Sequence, residues 1–543
     1  MGTWLKRIVL VWVWVALGAA CIGCSGDISA DMPSGARAAP PTQPGATPSQ
    51  TGTSTAPPGG SNVNLGGSQD AGFLRGQLEA GLVPAPAALD AAGFFAEHHI
   101  ELPPAACGEK LCLQPMMAVM GNLFDGGNCT LLHIGLKSPL AADPGSRPPL
   151  SLAVVVDVSG SMQGNKIALV REGLGLLIDG MRDGDRLSLI SYSDGVSVLS
   201  PLTAVESERA SLRRMVGGLA AEGGTNLAAG LEAGYLAIQD GYEPGRQHRV
   251  ILLSDGVPTA GVIDPNAILA SSRAYNSDGI GLTTIGLGSD FNVDLMRGLA
   301  QQADGNFYFL EDVGAVKEVF EEELSFFLVP VAFDVSLKVE AGSDYDFGRA
   351  LGTPFWANTT RGGRLDVPSV FLAHRESDDD VTEDDGRRGG GSSLLVELMP
   401  RASTSEETEP VVATLDLEFR DPETDEIVQD SVTVTYPHPA QVLESRGYFD
   451  APDPASIQKS FVMLNIFVGM ERAILDFHAR SFTTRTVGEL DNLIAAVSDY
   501  NEEVEDKDIE LDLELLDRLR ANLVRNGMPD SRAGVPANPW PAD

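Results

Sequence analysis

The sequence predicts an α/β protein with a doubly wound, mainly parallel sheet, a flanking antiparallel β domain and C-terminal helices. Three observations indicate this class. Between residues 148 and 328, apolar β-branched runs alternate with amphipathic segments, as expected when helices cover both faces of a parallel sheet. Residues 329–437 contain alternating apolar and polar positions, and residues 438–525 carry apolar residues at helical spacing.

The elements of the central block follow in chain order. We expect strands at residues 152–156, 186–192, 196–199, 249–253, 282–285 and 306–309. The run 249–253 is apolar throughout, which is typical of a strand buried on both faces. Asp264 and Pro265 mark a helix start, because Asp caps helices and Pro fits the first helical position. The other helices are expected at 166–180, 206–220, 226–238, 293–302 and 313–327.

The flanking segments predict a β domain that receives strands from both sides of the central block. Downstream candidates are 331–339, 394–398, 414–419 and 431–436, and residues 129–136 form an upstream candidate in the N-terminal segment 73–147. We hypothesise that the central block is inserted in a β-sandwich, which requires 129–136 to lie near 331–339. Helices at 461–477, 486–500 and 509–523 are expected to pack on this domain, followed by a loose tail at 526–543.

Composition narrows the classes of function. The chain has 543 residues, with Lys+Arg 38 and Asp+Glu 76, giving a formal net charge of −38. With 43% hydrophobic residues it can form packed cores, and its length suggests two to four domains. Because phosphate recognition depends on clustered Lys and Arg, this acidity argues against a nucleic-acid partner.

The N-terminus has the layout of a secretory signal peptide, assigned to residues 1–24. Lys6 and Arg7 precede an apolar run at 8–20 that is too short to span a bilayer. Residues 17–21 resemble a bacterial lipobox, which implies lipidation of Cys21 or, as an open alternative, Cys24. Residues 25–72 are dominated by Ser, Thr, Pro, Gly and Ala, which predicts a disordered linker. Together these features imply a lipid-anchored, extracytoplasmic protein of the bacterial cell envelope.

Three further cysteines and a histidine pair are candidates for structural roles. An extracytoplasmic setting permits one disulfide among Cys107, Cys112 and Cys129, with one thiol left over, and Cys107 with Cys112 closes the shortest loop. Zinc is the weaker alternative, because no fourth ligand at suitable spacing is nearby. His98 and His99 are adjacent in sequence, and we expect a solvated or capping role for them.

Polar loops follow two of the predicted strands. Asp157, Ser159 and Ser161 follow the first strand, and Asp255 follows the strand at 249–253. Thr225 lies in a third loop, after Gly223 and Gly224. In an open α/β sheet the carboxyl ends of strands form the ligand-binding edge, so these loops could converge. Hydroxyls and carboxylates without His or Cys favour Mg²⁺, Mn²⁺ or Ca²⁺ over zinc or copper. In the alternative interpretation, Asp157 and Ser159 cap the next helix and Asp255 makes a turn.

These residues, in this order and on these elements, resemble the metal-ion-dependent adhesion site of the von Willebrand factor type A domain family over about residues 148–328. The resemblance implies that Ser159, Ser161 and Thr225 are hydroxyl ligands, with Asp157 and Asp255 holding coordinated water or the metal. Mg²⁺ is the expected ion, with Ca²⁺ or Mn²⁺ as alternatives. The implied partner is a protein or peptide that supplies an Asp or Glu carboxylate to the ion.

Two functions are therefore considered. The favoured one is a membrane-tethered, metal-dependent binding module that acts in adhesion or as a scaffold. In the alternative, a structural envelope protein uses the metal to stabilise its fold and recognises partners through the β domain. An enzyme is not expected, because the sequence contains neither a G-x-S-x-G elbow nor an H-E-x-x-H pair.

Overall fold

The fold was analysed in a computed structural model. The structure describes the following residues: 61–65, 71–140, 148–255, 257–276, 279–288, 292–302, 305–310, 315–316, 319–320, 330–373, 390–401, 409–444 and 447–530. The expected signal peptide, both candidate lipidation sites and most of the expected tail lie outside these residues.

The described chain begins with a strand and two short helices, followed by a long β-hairpin. In order, these are β1 (Ser61–Leu65), α1 (Gly72–Glu79), α2 (Ala91–Ala96), β2 (Cys112–Gly121) and β3 (Asn128–Ser138). Strand β1 pairs with β3, although composition had placed it in a disordered linker. That part of the linker prediction is wrong, because residues 61–65 pair with β3 and with residues 370–372, and the short alternation of Asn62, Val63, Asn64 and Leu65 was masked by the Ser- and Gly-rich composition around it.

The central block is a six-stranded sheet flanked by helices. Its strands are β4 (Leu150–Asp157), β5 (Arg186–Tyr192), β6 (Val196–Ala204), β7 (Gln247–Ser254), β8 (Gly281–Leu287) and β9 (Phe307–Leu310). The sheet order is β6-β5-β4-β7-β8-β9, in which only β6 runs antiparallel to its neighbour. Its described helices are α3 (Asn165–Gly180), α4 (Val205–Gly217), α5 (Leu227–Asp240), α6 (Pro265–Asn276) and α7 (Val293–Gln301).

Strand β4 lies in the middle of this sheet and is buried along its whole length. Leu152, Val154 and Val156 pack in the core on one face, whereas Ala153 and Val155 pack in the core on the other. Successive side chains of a strand point to opposite faces, so both faces must be covered by helices. The predicted doubly wound sheet is therefore confirmed. Most of the expected closing helix at 313–327 lies outside the described residues.

The antiparallel domain combines strands from before and after the central block. Its downstream strands are β10 (Pro330–Ala341), β11 (Tyr345–Leu351), β12 (Trp356–Asn358), β13 (Gly362–Leu372), β14 (Leu394–Pro400), β15 (Val411–Arg420), β16 (Ile427–Thr435) and β17 (Tyr448–Asp450). Strand β3 pairs with β14, and β1 bridges β3 and β13. Strands β3 and β10 share one apolar core without pairing directly. In the strand order, β1 and β13 stand between β3 and β10, so strands from both sides of the central block contribute to one β domain, while the insertion in a β-sandwich stays a prediction.

Three C-terminal helices complete the fold: α8 (Pro454–His478), α9 (Thr484–Val504) and α10 (Lys507–Arg525). They bury a large apolar core against α1, α2 and strand β2. Across the described ranges, no helix is both long enough and apolar enough to span a bilayer.

The histidine pair is buried in this helical region, so the expectation of solvated rings is wrong. His98 Nδ1 lies 2.9 Å from the Phe94 carbonyl in the last turn of α2, which is a capping contact. Its Nε2 lies 2.8 Å from Asp512 Oδ2 on α10. A carboxylate from a helix over 400 residues away in sequence therefore provides the partner that burial of His98 demands.

The cysteines differ from expectation in one respect. Cys107 and Cys112 form a disulfide, which removes the zinc alternative. Cys129 is also disulfide-bonded, so the expected free thiol is wrong. The prediction considered disulfide pairing only among Cys107, Cys112 and Cys129.

Candidate metal centre

The candidate site is built on the carboxyl ends of two adjacent parallel strands. Val156 of β4 is in register with Leu253 of β7, so the residues that follow both strands emerge side by side. Helix α3 begins only at Asn165, and its N-cap is Gly164, which makes no side-chain cap. Ser159 stands at the N-cap of a 3₁₀ helix at Gly160–Met162 but makes no side-chain cap there, and neither Ser159 nor Asp157 caps α3, so the capping interpretation is wrong.

Asp157 is buried and oriented by three donors. Its Oδ1 accepts the Ser159 amide at 2.8 Å, and its Oδ2 accepts the hydroxyls of Ser254 at 2.9 Å and Tyr192 at 3.3 Å. Burial raises the pKa of this carboxyl, and the neighbouring Asp255 charge adds to the increase, while the serine donors oppose it. A cation beside Asp157 would relieve both unfavourable contributions.

Ser159, Ser161 and Asp255 form a chain of side-chain hydrogen bonds. The two serine hydroxyl oxygens are 3.0 Å apart, and Ser161 donates to Asp255 Oδ1 at 2.8 Å. Ser161 gives its single hydroxyl proton to Asp255, so its oxygen can accept a hydrogen bond from Ser159. The hydroxyl proton of Ser161 points toward the Asp255 carboxylate, so lone pairs of the Ser161 oxygen remain available. This is the orientation that a hydroxyl ligand of a hard cation needs.

Thr225 approaches the same edge through backbone contacts of its loop. Gly160 N–H donates to the Gly223 carbonyl at 3.0 Å, which ties this loop to the serine loop. Thr225 is buried, and its amide donates to the Thr259 hydroxyl at 3.0 Å. Within the described part of the chain, the Thr225 hydroxyl makes no hydrogen bond to the other four predicted ligands. Side-chain contacts therefore join Asp157, Ser159, Ser161 and Asp255, whereas Thr225 is tied to their loops only through its backbone.

The sequence-based prediction missed two charged residues at this edge. Lys166 Nζ lies 2.6 Å from Asp255 Oδ2. Asp194 lies against Gly223 and Gly224, where a Cβ would come within 2.7 and 2.6 Å of its carboxylate oxygens. The available signals were a lysine in the first turn of a helix and an Asp two residues after the end of β5.

The donor set fits a hard divalent cation. It combines two buried carboxylates with hydroxyl oxygens, and no group of three or more His, Cys, Asp and Glu suited to a metal occurs in the described ranges. Carboxylate and hydroxyl oxygens are ligands of Mg²⁺, Mn²⁺ and Ca²⁺, whereas structural zinc sites use Cys and His.

Comparison with known proteins identifies the central block. Residues 151–322 match the von Willebrand factor type A domain. The uncharacterized protein YfbK of Escherichia coli is 30% identical over 215 residues, which cover 39% of this chain and 37% of YfbK. Human inter-alpha-trypsin inhibitor heavy chain H2 is 27% identical over 190 residues, covering 33% of this chain and 20% of that protein. The chain thus spans well under two thirds of either relative.

Among solved structures, a von Willebrand factor type A protein from Catenulispora acidiphila aligns with 74% of this chain and 88% of its own, with 15% identity and a TM-score of 0.47. The family match covers the central block alone and leaves the β domain and C-terminal helices outside it. Residues 151–322 of this chain therefore form a von Willebrand factor type A domain.

Proposed function

We propose that this protein is a membrane-tethered module that binds a protein partner through a divalent cation in its von Willebrand factor type A domain. The observation that carries the proposal is the hydrogen-bonded chain from Ser159 through Ser161 to Asp255, next to the buried carboxylate of Asp157. The family typically mediates protein–protein interaction. We infer no catalytic role for these residues.

Asp157, Ser159, Ser161, Thr225 and Asp255 would hold the ion, and Mg²⁺ is the ion we expect. When bound, the ion supplies a positive charge that attracts an Asp or Glu carboxylate of the partner. Such a charge is needed because the chain has a formal net charge of −38 and would otherwise repel acidic groups. Ser161 is solvent-exposed, so a ligand atom can approach this edge from outside.

The loop after Asp255 supports a protein as the partner. Val257, Val262 and Ile263 are 50%, 49% and 58% exposed, respectively. Thr259 and Ala260 donate their amides to the Thr225 carbonyl at 3.0 and 3.2 Å, which fixes the loop beside the candidate site. Exposed apolar side chains on a loop beside the candidate site form a surface that a protein partner can cover.

The tether is part of the same proposal. It is supported by the apolar run at 8–20 and by the resemblance of residues 17–21 to a lipobox. Mass spectrometry of the N-terminal peptide from purified membranes, for the wild type and for Cys21→Ser and Cys24→Ser variants, would identify the acylated cysteine. Release of all three proteins into the soluble fraction would contradict the tether.

A chelator-sensitive pull-down tests the binding function. The full mature protein is used as bait for detergent-solubilised cell envelope, with Mg²⁺ or with EDTA, in wild-type, Asp157→Ala and Asp179→Ala forms. Asp179 is the matched control, because it lies near the far end of α3, about 20 Å from its start, and pairs with Arg213. We expect one partner set that is captured by wild type and Asp179→Ala in Mg²⁺ and lost with EDTA or Asp157→Ala.

The structural alternative gives a different result in the same experiment. If the ion only stabilises the fold, Asp157→Ala combined with Asp255→Ala lowers the melting temperature but leaves partner capture intact. Capture that persists in EDTA and in the folded double variant would reject the binding proposal.

A further inference from the structure

Lys166 places a positive charge inside the candidate metal centre. Its ammonium lies 2.6 Å from Asp255 Oδ2, while Asp255 Oδ1 accepts the Ser161 hydroxyl. The Asp255 side chain is fully buried, whereas that of Lys166 is 27% exposed. One of the two buried carboxylates of the site is therefore neutralised by a side chain of the protein itself.

The position of Lys166 conflicts with local electrostatics. It is the second residue of α3, and the first turn of this helix contains no acidic residue. The positive end of a helix dipole disfavours a cation. A residue that breaks a local preference in this way points to a role outside its own helix.

The segment after β8 leaves room for this lysine. Gly288 follows β8 with φ +77, and a Cβ there would lie 2.6 Å from Lys166 Cε and 3.0 Å from Nζ. A side chain at position 288 would therefore crowd the end of the lysine chain, so the Lys166 ammonium lies between the end of β8 and Asp255.

We propose that Lys166 is a built-in counter-cation that competes with the metal ion for Asp255 and so sets the metal affinity of the site. This inference rests on the proposed metal-binding function. A fixed positive charge near a divalent ion raises the free energy of the bound ion, because like charges repel. The same charge leaves the ion less neutralised by protein groups and more attractive to a carboxylate ligand.

Removal of the charge at position 166 tests this role. Lys166→Gln keeps a hydrogen-bond donor for Asp255 but loses the charge, Lys166→Met loses both, and Lys166→Arg keeps the charge. Lys338→Gln is the matched control for net charge, because Lys338 pairs with Glu340 at 3.1 Å in the β domain. Mn²⁺ is titrated into each full mature protein by calorimetry, and the Mn²⁺-induced rise in melting temperature is measured in parallel.

We expect Lys166→Gln and Lys166→Met to bind Mn²⁺ on the order of tenfold more tightly than wild type, with a larger Mn²⁺-induced thermal shift. Lys166→Arg should stay within about threefold of wild type, and Lys338→Gln should match it. A lysine that served only to hold the fold would give the opposite result, with weaker metal binding once it is removed.

Asp157→Ala separates the two levels of the proposal. If wild type binds Mn²⁺, Asp157→Ala does not, and the charge-free Lys166 variants bind no more tightly than wild type, the counter-cation role is rejected and the metal site stands. If wild type binds Mn²⁺ no better than Asp157→Ala, the metal site itself is rejected, and the role of Lys166 fails with it. Should Lys166→Met not fold, the donor-retaining Lys166→Gln decides between these outcomes.

Discussion

Two regions of this protein bury carboxylates, and they differ in what neutralises them. At the interface of the C-terminal helices, Lys459 Nζ lies 2.7 Å from Asp506 and 3.0 Å from Asp508, with all three side chains almost completely buried. Asp512 is paired with His98 in the same region. These carboxylates meet cationic or titratable partners that are themselves buried, as interior charges require.

The candidate metal centre is organised differently. Asp157 accepts bonds from an amide and from neutral hydroxyls, and among the described residues it forms no ion pair. Only Asp255 has a cation, and that lysine is partly exposed. The helical interface therefore balances its charge internally, whereas the metal centre leaves negative charge that an external cation can neutralise. In this protein, a pair of buried carboxylates that has hydroxyl donors but too few cationic side chains is a candidate site for an external cation.

The largest loss in the free energy of unfolding should come from removing the buried cation of the helical interface. Lys459→Met leaves Asp506 and Asp508 buried without their ammonium, and removal of one partner from a buried ion pair costs about 3–5 kcal/mol. We expect Lys166→Met to cost less, because Lys166 is partly exposed and Asp255 keeps the Ser161 donor. Urea unfolding monitored by circular dichroism measures both variants against Lys338→Met, for which we expect a change within about 0.5 kcal/mol. Equal losses at positions 459 and 166 would contradict the distinction between the two regions.

The second prediction concerns the external cation. At Mg²⁺ concentrations of about 100 Kd, binding to the folded state should add about 3 kcal/mol to the free energy of unfolding of wild type. Asp157→Asn keeps the side-chain size but loses the charge, so this gain should disappear. Urea unfolding of each protein in Mg²⁺ and in EDTA measures this gain in the free energy of unfolding. Lys459→Met should retain the gain despite its lower stability. A gain that is equally large in Asp157→Asn would show that the ion binds elsewhere.

The smallest expected effect is on how the free energy of unfolding depends on pH, and it involves a histidine outside the candidate metal centre. His133 on β3 contacts Ser460 of α8 at 2.8 Å, and burial lowers the pKa of its imidazole to about 3. The unfolded chain protonates this histidine near pH 6.5. Between these values the unfolded state binds more protons, so acidification destabilises the fold by about 1 kcal/mol per pH unit.

His133→Gln removes this titration. Urea unfolding between pH 6.5 and 5 should therefore give a flatter slope of stability against pH in the variant than in wild type. Both proteins are compared in EDTA, so that the metal centre does not contribute. Identical slopes would show that His133 is not the group responsible.

The elements of the parallel sheet were predictable because their signals are local. Residues 186–192 were predicted as a strand and form β5 with the same bounds. Asp264 was predicted to begin a helix, and its carboxylate accepts the Asn266 amide at the start of α6. Continuous apolar runs and capping residues act over one turn or one strand, so neighbouring residues are enough to show them.

The candidate site was predictable only in part. Asp157 and Asp255 follow strands that the sequence identifies, and parallel strands bring their carboxyl ends to one edge. Lys166 gave no comparable signal, because a lysine near a helix start is normally exposed, and nothing in sequence shows that it lies against Asp255, 89 residues away. The pairing depends on where the start of α3 lies relative to the end of β7, which sequence spacing alone does not specify.

The sequence by itself determined the doubly wound sheet, the antiparallel strands, the C-terminal helices and the presence of polar loops after β4 and β7, because each arises from periodicity or capping within a short window. Tertiary structure alone decided that Ser61–Leu65 is a strand, that His98 meets Asp512, and that Lys166 pairs with Asp255 at the candidate metal centre. Each of these depends on groups far apart in the chain. Burial forces such groups to find partners, and only the folded chain determines which partners are within reach.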